Sequence, residues 1–521
     1  MPRGLSRRTV LASTAAATAA VTVSGGLALP AQAAAPAAAP TLPNGTSADK
    51  VLFIGMDGLR HDRIMAAQAP NLKSLIAQGT YGTSLLYCSP MGDTSSGPGW
   101  STISCGVWPD KHGVVNNDFI GKNYAKYPGF LSRIAQVKPA LSTFAAVDWT
   151  PLDTQGTVTA GADAKVVYNG DDAQGYPVHD AAIAADVTGV LRNQNPDVVF
   201  AYFGNTDVVA HNKGALHPDY LACIDRQDAW VGQFVAAIKA RPTYAQERWT
   251  ILVATDHGHA DAGGHGGPSI EERRTFVIAQ GPGIPVGAKP FNTRLVDVAP
   301  TVFQALGIPI QAAWDLDGRP LQRPYADGFD ASYSALKPAV DETGIPAGVL
   351  GFTHSPAGGW TIDNSKMPAT GGVTEWRGWT LTTDEFWTRA EKSQQRETFT
   401  KGRGVIAVAD PDEWDDKGSP SSSAAFDSTL ISPAVSVARK TSITLSYATH
   451  YLAYGTQRGD VLVSFDGGAD QVVKTYAADA KNKAEKFTVA VPSGASTVKV
   501  KFRMRDARND WYWAVDDVQV G

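Results

Sequence analysis

WTILVATDHGHADAGGHGG, residues 249–267, is the stretch whose reading decides the fold. Trp249 to Thr255 form an apolar run of strand length, of the kind buried on both faces of a sheet. It stops on Asp256-His257, and a glycine-rich segment around His265 follows. Open α/β sheets bind ligands just beyond the carboxyl ends of their strands, so a carboxylate and an imidazole at that point read as a site. Three upstream runs repeat the pattern: VLFIG (51–55), ALSTFAAV (140–147) and DVVFAYF (197–203). Segments 70–78, 180–192 and 219–240 carry helical periodicity. Alternation of buried strands and helices over 48–325 predicts an α/β domain with a largely parallel sheet flanked by helices.

The rest of the chain is organised around that domain. A length of 521 residues favours two domains, and 43% hydrophobic with 19% charged residues describes a folded protein. Ser6-Arg7-Arg8-Thr9-Val10-Leu11, an Ala/Thr/Val-rich stretch and Ala31-Gln32-Ala33 read as a twin-arginine signal peptide over 1–33. This predicts export of an already folded protein and a secreted location. Residues 34–47, rich in Ala and Pro, read as a disordered leader. No later segment approaches about 20 consecutive apolar residues, so no membrane span is expected after cleavage. Cleavage removes Arg3, Arg7 and Arg8 and lowers the formal charge of −5 by three. An acidic chain without a Lys/Arg block argues against nucleic-acid wrapping. Cys88, Cys105 and Cys223 are too few for a disulfide framework and lack zinc-finger spacing.

Residues 326–345 read as a linker, and the pattern then changes. SITLSYATHYL (442–452), DVLVSF (460–465), KFTVAV (486–491), TVKVKFRM (497–504) and WYWAVDDVQV (511–520) alternate apolar and polar residues. That predicts an antiparallel β-sandwich over 346–521. Its last strand resembles extracellular jelly-roll modules, and Trp511, Tyr512 and Trp513 then either contact a glycan or cell-wall polymer or fill the sandwich core.

Five short segments carry chemistry. Asp57 follows the strand 51–55; Ser96 opens SGPGWST (96–102); Asp207 and His211 stand at i and i+4; Asp256-His257 end the strand 249–255; His265 sits among glycines. Taken singly each has an ordinary reading, as a turn, a flexible loop or an isolated imidazole. Together the odds invert, because His211, His257, His259 and His265, out of 10 histidines, fall in the two post-strand segments that also hold Asp207 and Asp256. An i, i+4 pair places carboxylate and imidazole on one helix face, as a two-ligand metal clip requires. Three aspartates, three histidines and a serine make two nitrogen/oxygen coordination spheres suited to zinc, with no thiolate.

Over 50–325 these residues resemble the alkaline-phosphatase superfamily and, within it, the type I phosphodiesterase/nucleotide pyrophosphatase branch. That branch carries strand-Asp-Gly, then Thr-Phe-Pro-Asn running into Gly-x-x-Pro-x-x-His-Gly; the matching run here is SGPGWSTISCGVWPDKHGVVNN (96–117). The resemblance implies two zinc ions: one held by Asp57, Asp256, His257 and Ser96 Oγ, the other by Asp207, His211 and His265. It further implies Ser96 as nucleophile, a phospho-serine intermediate, and Asn117 with the Gly97 amide as donors to the phosphoryl oxygens. The expected substrate is a small-molecule phosphate ester. His112 is expected to fix its loop, and His259 either to support the ligands from behind or to be structural.

Two departures bear on specificity. The aromatic that follows the nucleophile in nucleotide-cleaving members is Gly97 here, which removes a stacking surface; Trp100 either compensates or lies in the core. Neither Cys88-Ser89-Pro90 nor Ser96-Gly97-Pro98 is followed by the arginine that sulfatases require. A diesterase is the leading expectation and a phosphomonoesterase the alternative. A surface-binding protein with an inactive hydrolase domain is the reading from another class.

Overall fold

Seven strands build the first sheet: β1 (Asp49–Met56), β2 (Thr80–Leu85), β3 (Thr143–Val147), β4 (Ala164–Val167), β5 (Val198–Phe203), β6 (Arg248–Ala254) and β7 (Arg274–Gln280). The computed structural model describes residues 40–416 and 425–521; residues 1–33, expected to be a signal peptide, and residues 34–39 lie outside them. Strand order is β2-β7-β6-β1-β5-β3-β4, with β6, β1, β5, β3 and β4 parallel and the β7–β6 and β2–β7 pairs antiparallel. The central strands read as unbroken apolar runs because both faces are covered. Leu52 and Ile54 enter one core with Ile183 and Val187 of the helix Tyr176–Asn193 and Val231 of the helix Pro218–Lys239. Val51 and Phe53 enter the other with Trp100 and Ile103 of the helix Ser96–Cys105 and Val302 of the helix Val298–Ala305. The topology is thus the expected largely parallel α/β sheet, completed by an antiparallel edge.

The C-terminal region is all-antiparallel. One sheet joins Ala480–Ala490, Ser442–Tyr451, Trp513–Val520, Val405–Ala409, Trp379–Thr383, Leu350–Thr353 and Lys337–Pro338. The other runs Thr361–Asp363, Phe426–Ile431, Thr497–Ala507, Arg458–Phe465 and Gln471–Tyr476, with Val435–Ser436 also paired to Thr497–Ala507. Residues of both enclose one apolar core, in which Trp513 meets Trp379, Tyr451, Tyr476 and Phe502. Tyr512 and Trp513 are wholly buried there, so they are closed to a glycan, and Trp511 is partly buried against the same core.

The described part of the leader, expected to be disordered, is packed, and so is the linker. In the leader, Leu42 is buried with its amide on Gln194 Oε1, and the Thr46 and Ser47 amides bind the Asp197 carboxylate. In the linker, Phe329, Leu336 and Ile345 enter the C-terminal core around a 3₁₀ turn at Asp330–Ala335. Arginines join the two regions. Arg403 donates to both Asp297 oxygens (3.1 and 3.0 Å) and to Asp317 O, and Arg294 donates to Gly402 O. The described residues form one compact unit.

Candidate active site and metal centre

Every site residue is delivered by the carboxyl edge of the sheet. Asp57 follows β1, Asp207 and His211 stand on the helix Asn205–Lys213 that follows β5, and Asp256-His257 follow β6. Parallel pairing holds these ends level: Gly55 of β1 lies opposite Tyr202 of β5 and Ala254 of β6. Ser96 opens the helix Ser96–Cys105, whose first residues face the same edge. His265 arrives on the glycine loop 263–267, held by Thr94 two residues before Ser96. The Thr94 carbonyl accepts from His265 Nδ1 (3.0 Å), and its hydroxyl accepts from Gly266 N and donates to Gly267 O.

Two groups of donors result. In the first, Ser96 Oγ lies 3.2 Å from His257 Nε2 and donates to Asp57 Oδ1 at 3.4 Å. His257 Nε2 stands 3.5 Å from Asp57 Oδ1 and 3.3 Å from Asp256 Oδ2. In the second, Asp207 Oδ2 is 3.4 Å from His211 Nε2, and Asp207 Oδ1 is 3.5 Å from His265 Nε2 and 2.7 Å from His259 Nε2. Asp57, Asp207 and His257 also offer ligand atoms within 4.8 Å of one another, so the groups adjoin. All seven expected positions therefore converge. Asn117 joins them through Gly97, whose amide donates to Asn117 Oδ1 at 2.7 Å. That bond differs from expectation: the Gly97 N–H is taken, and Asn117 is turned so that its Nδ2 end is the donor left for a ligand.

The electrostatics suit cations. Burial pushes the Asp57 carboxyl well above its ordinary range and Asp207 adds to this; hydrogen bonds from Tyr202, Trp100 and Ser96 oppose it. Burial and then the Asp57 charge raise Asp256, whose Oδ2 has no hydrogen-bond partner among the described residues. Burial also works to raise Asp207, but the His259 hydrogen bond and neighbouring imidazoles outweigh it and hold the carboxyl low. Burial and the neighbouring His265 push His257 well below the usual imidazole range, and burial lowers His265 to about 4 against the pull of Asp207. The tautomers agree. His257 Nδ1 faces Gly258 O (2.9 Å), His259 Nδ1 faces Gly264 O (3.2 Å) and His265 Nδ1 faces Thr94 O. A carbonyl only accepts, so neutral His257 and His265 carry their proton on Nδ1 and turn an Nε2 lone pair toward carboxylates. Buried lone pairs aimed at carboxylates are reconciled by positive charge between them, which is the chemistry of a metal site.

Several residues were misjudged or missed from sequence. Trp100 is core, and its Nε1 donates to Asp57 Oδ2 at 2.9 Å, joined there by Tyr202 Oη at 2.5 Å. His259 is one of three imidazoles grouped around Asp207. Its signal was spacing: in an extended Asp-His-Gly-His run, alternate residues reach a common side. His112 fixes its loop as expected, with Nε2 3.1 Å from Thr102 Oγ1 and Nδ1 accepting from Val114 N. The three cysteines are free, buried and outside the site.

An α/β sheet here presents a serine beside two adjoining groups of Asp and His donors. Residues 51–272 match the family model "Type I phosphodiesterase / nucleotide pyrophosphatase". An uncharacterized pyrophosphatase/phosphodiesterase of Schizosaccharomyces pombe is 24% identical over 242 residues, 42% of this chain and 46% of the relative. Venom phosphodiesterase of Macrovipera lebetinus is 24% identical over 235 residues, 42% of this chain and 26% of the relative. The chain thus spans less than half the length of these curated relatives. Among solved structures, murine ectonucleotide pyrophosphatase/phosphodiesterase 5 aligns with a TM-score of 0.39 and 14% identity over 51% of this chain and 99% of that one. No helix among the described residues is long and apolar enough to cross a membrane.

Proposed function

We propose that the chain is an exported phosphoric-ester hydrolase, with a phosphodiester as preferred substrate, acting through Ser96. The observation that carries this reading is the placement of the Ser96 hydroxyl against His257 Nε2 and Asp57 Oδ1, inside a buried set of oxygen and nitrogen donors. Asp57, Asp256 and His257 would hold one divalent cation beside Ser96, and Asp207, His211 and His265 a second; the all-N/O donor set favours zinc. When bound, such cations supply Lewis-acid charge that lowers the serine pKa and offsets charge on the phosphoryl oxygens. Ser96 Oγ attacks phosphorus, the ester oxygen leaves, and water then cleaves the phospho-serine. Asn117 Nδ2 donates to a non-bridging oxygen. Export follows from the twin-arginine pattern at residues 6–11.

Two features favour a diester, which carries less charge than a monoester. Arg60, beside the site, has its guanidinium committed to Asp62, Asp261 and His259 O, so it is spent as an oxyanion clamp. Asn117, a neutral donor, takes the position facing Gly97. Base stacking finds no support, because Gly97 has no ring and Trp100 is wholly buried.

The test compares bis-p-nitrophenyl phosphate with p-nitrophenyl phosphate, with and without chelator. Faster turnover of the diester, lost with chelator, is expected. Ser96→Ala is expected to abolish turnover with metal content nearly unchanged. Turnover of neither ester by the metal-loaded protein would favour the binding-protein reading; full activity of Ser96→Ala would move the nucleophile elsewhere.

A further inference from the structure

The Asp207 group holds more donors than the two-cation arrangement needs. His211, His259 and His265 form a near-equilateral triangle of rings, with centroids 5.1, 4.8 and 5.1 Å apart. One ligand atom from each, and one carboxylate oxygen of Asp207, all lie within 4.8 Å of one another. His259 Nε2 makes the shortest of the three imidazole approaches to Asp207.

The backbone is built around this ring. Gly58 sits at φ +61, and a Cβ there would stand 2.6 Å from His259 Nε2 and 2.8 Å from Asp207 Oδ1. Only glycine admits both groups so close to the chain. On the other side of the ring, Nδ1 faces Gly264 O, in the same glycine loop that carries His265. His259 is wholly buried, and its immediate polar surroundings are Asp207, Gly264 O and the neighbouring imidazoles.

We propose that His259 is a fourth protein ligand, closing the Asp207 sphere into three imidazoles and one carboxylate. The competing account makes His259 a hydrogen-bond partner that merely orients Asp207. The geometry favours ligation: the ring turns Nδ1 to Gly264 O and Nε2 to Asp207 Oδ1 at 2.7 Å, within the four-donor group it forms with His211, His265 and Asp207. The inference rests on the two-cation reading above and goes beyond it. With His259 the Asp207-side ion has four protein donors, against Asp57, Asp256 and His257 beside the reacting Ser96 on the other side. The two cations then differ in retention: the Ser96-side ion exchanges, and the Asp207-side ion stays.

The test uses the full-length protein loaded with cobalt(II) alone. X-ray absorption of the wild type is expected to show an average of two imidazoles per cobalt, from His211, His257, His259 and His265 shared over two ions, against one and a half without His259. Chelator is expected to remove the two ions in separate phases. In His259→Gln, which retains hydrogen bonding but offers no imidazole, the slow phase is expected to accelerate at least tenfold. One and a half imidazoles per cobalt, or an unchanged slow phase in a folded His259→Gln variant, would overturn the assignment and leave the two-cation reading standing. A wild type that takes up no cobalt would overturn both.

Discussion

Tyr202→Phe is the sharpest probe of how the first sphere is held. The phenol is wholly buried at the end of β5, and its hydroxyl donates to Asp57 Oδ2 at 2.5 Å, beside the Trp100 indole N–H at 2.9 Å. The substitution deletes one oxygen and leaves the ring, so the T-shaped contact with Trp100 at 5.2 Å persists. A hydrogen bond to a charged acceptor contributes about 1.5–3 kcal/mol. Because Trp100 still serves the same oxygen, the carboxylate is not orphaned, and the lower figure applies. About 1.5 kcal/mol is roughly a tenfold change in any equilibrium that needs Asp57 charged and fixed. Cation binding is that equilibrium, so one of two dissociation constants is expected to rise about tenfold and the other to stay. Chelator competition at fixed pH measures both, and saturating metal is expected to restore hydrolysis. If both constants lie within twofold of the wild type, or both weaken equally, Tyr202 does not act through Asp57 and the reasoning fails.

At Gly97, a Cβ would stand 2.8 Å from Asn116 O and 3.0 Å from Asn117 Oδ1, so Gly97→Ala displaces the Asn117 loop. A loss of about tenfold or more in kcat/KM on bis-p-nitrophenyl phosphate is expected with only a modest fall in Tm, since overpacking of this size costs about 1–3 kcal/mol; unchanged kinetics would refute the role given to Asn117. Asp148, just beyond β3, is wholly buried and neither oxygen has a hydrogen-bond partner among the described residues. Burial, followed by the charge of Asp180, raises its pKa well above the ordinary range. The folded state therefore binds this proton more tightly than the unfolded chain, so the destabilisation is full at high pH and fades as pH falls through the raised value toward about 3.9. Asp148→Asn is expected to raise Tm at pH 8, with the gain shrinking toward pH 4; a gain that grows in acid would invert the argument.

The part of the site that the sequence discloses is the part fixed by local geometry. Asp57, Asp207, Asp256 and His257 each stand one to four residues beyond a buried strand, and a parallel sheet brings such ends together whatever the strand order. His211 follows from one helical turn. Tyr202 and Trp100 escape such reading because a buried aromatic that donates to a carboxylate looks, in sequence, like any core aromatic. The apolar TFVIA of β7 marks a strand, yet nothing local says that it runs antiparallel beside β6. Trp379–Thr383 and Val405–Ala409 are buried almost throughout, so they lack the alternation by which the later strands were found.

The C-terminal half reaches the site indirectly, through buried arginines. The glycine loop that carries His265 is fixed at one end by Thr94 and at the other by Glu272, whose carboxylate accepts from Gly267 N and, through a capping box, from Ser269 N. Arg273, the next residue, is buried. Its Nε donates to Leu86 O, at the start of the segment leading to Thr94 and Ser96, and its Nη1 donates to Thr388 Oγ1 of the C-terminal half at 2.9 Å. One guanidinium thus ties the nucleophile's approach, the His265 loop and the second region together. Arg294 repeats the tie between Leu85 O and Gly402 O. A buried cation stripped of its partners costs several kcal/mol, so these arginines couple the two regions far more strongly than exposed ion pairs would. Through these bonds the C-terminal region is joined to the β2–β7 edge of the first sheet, next to the loop that carries His265.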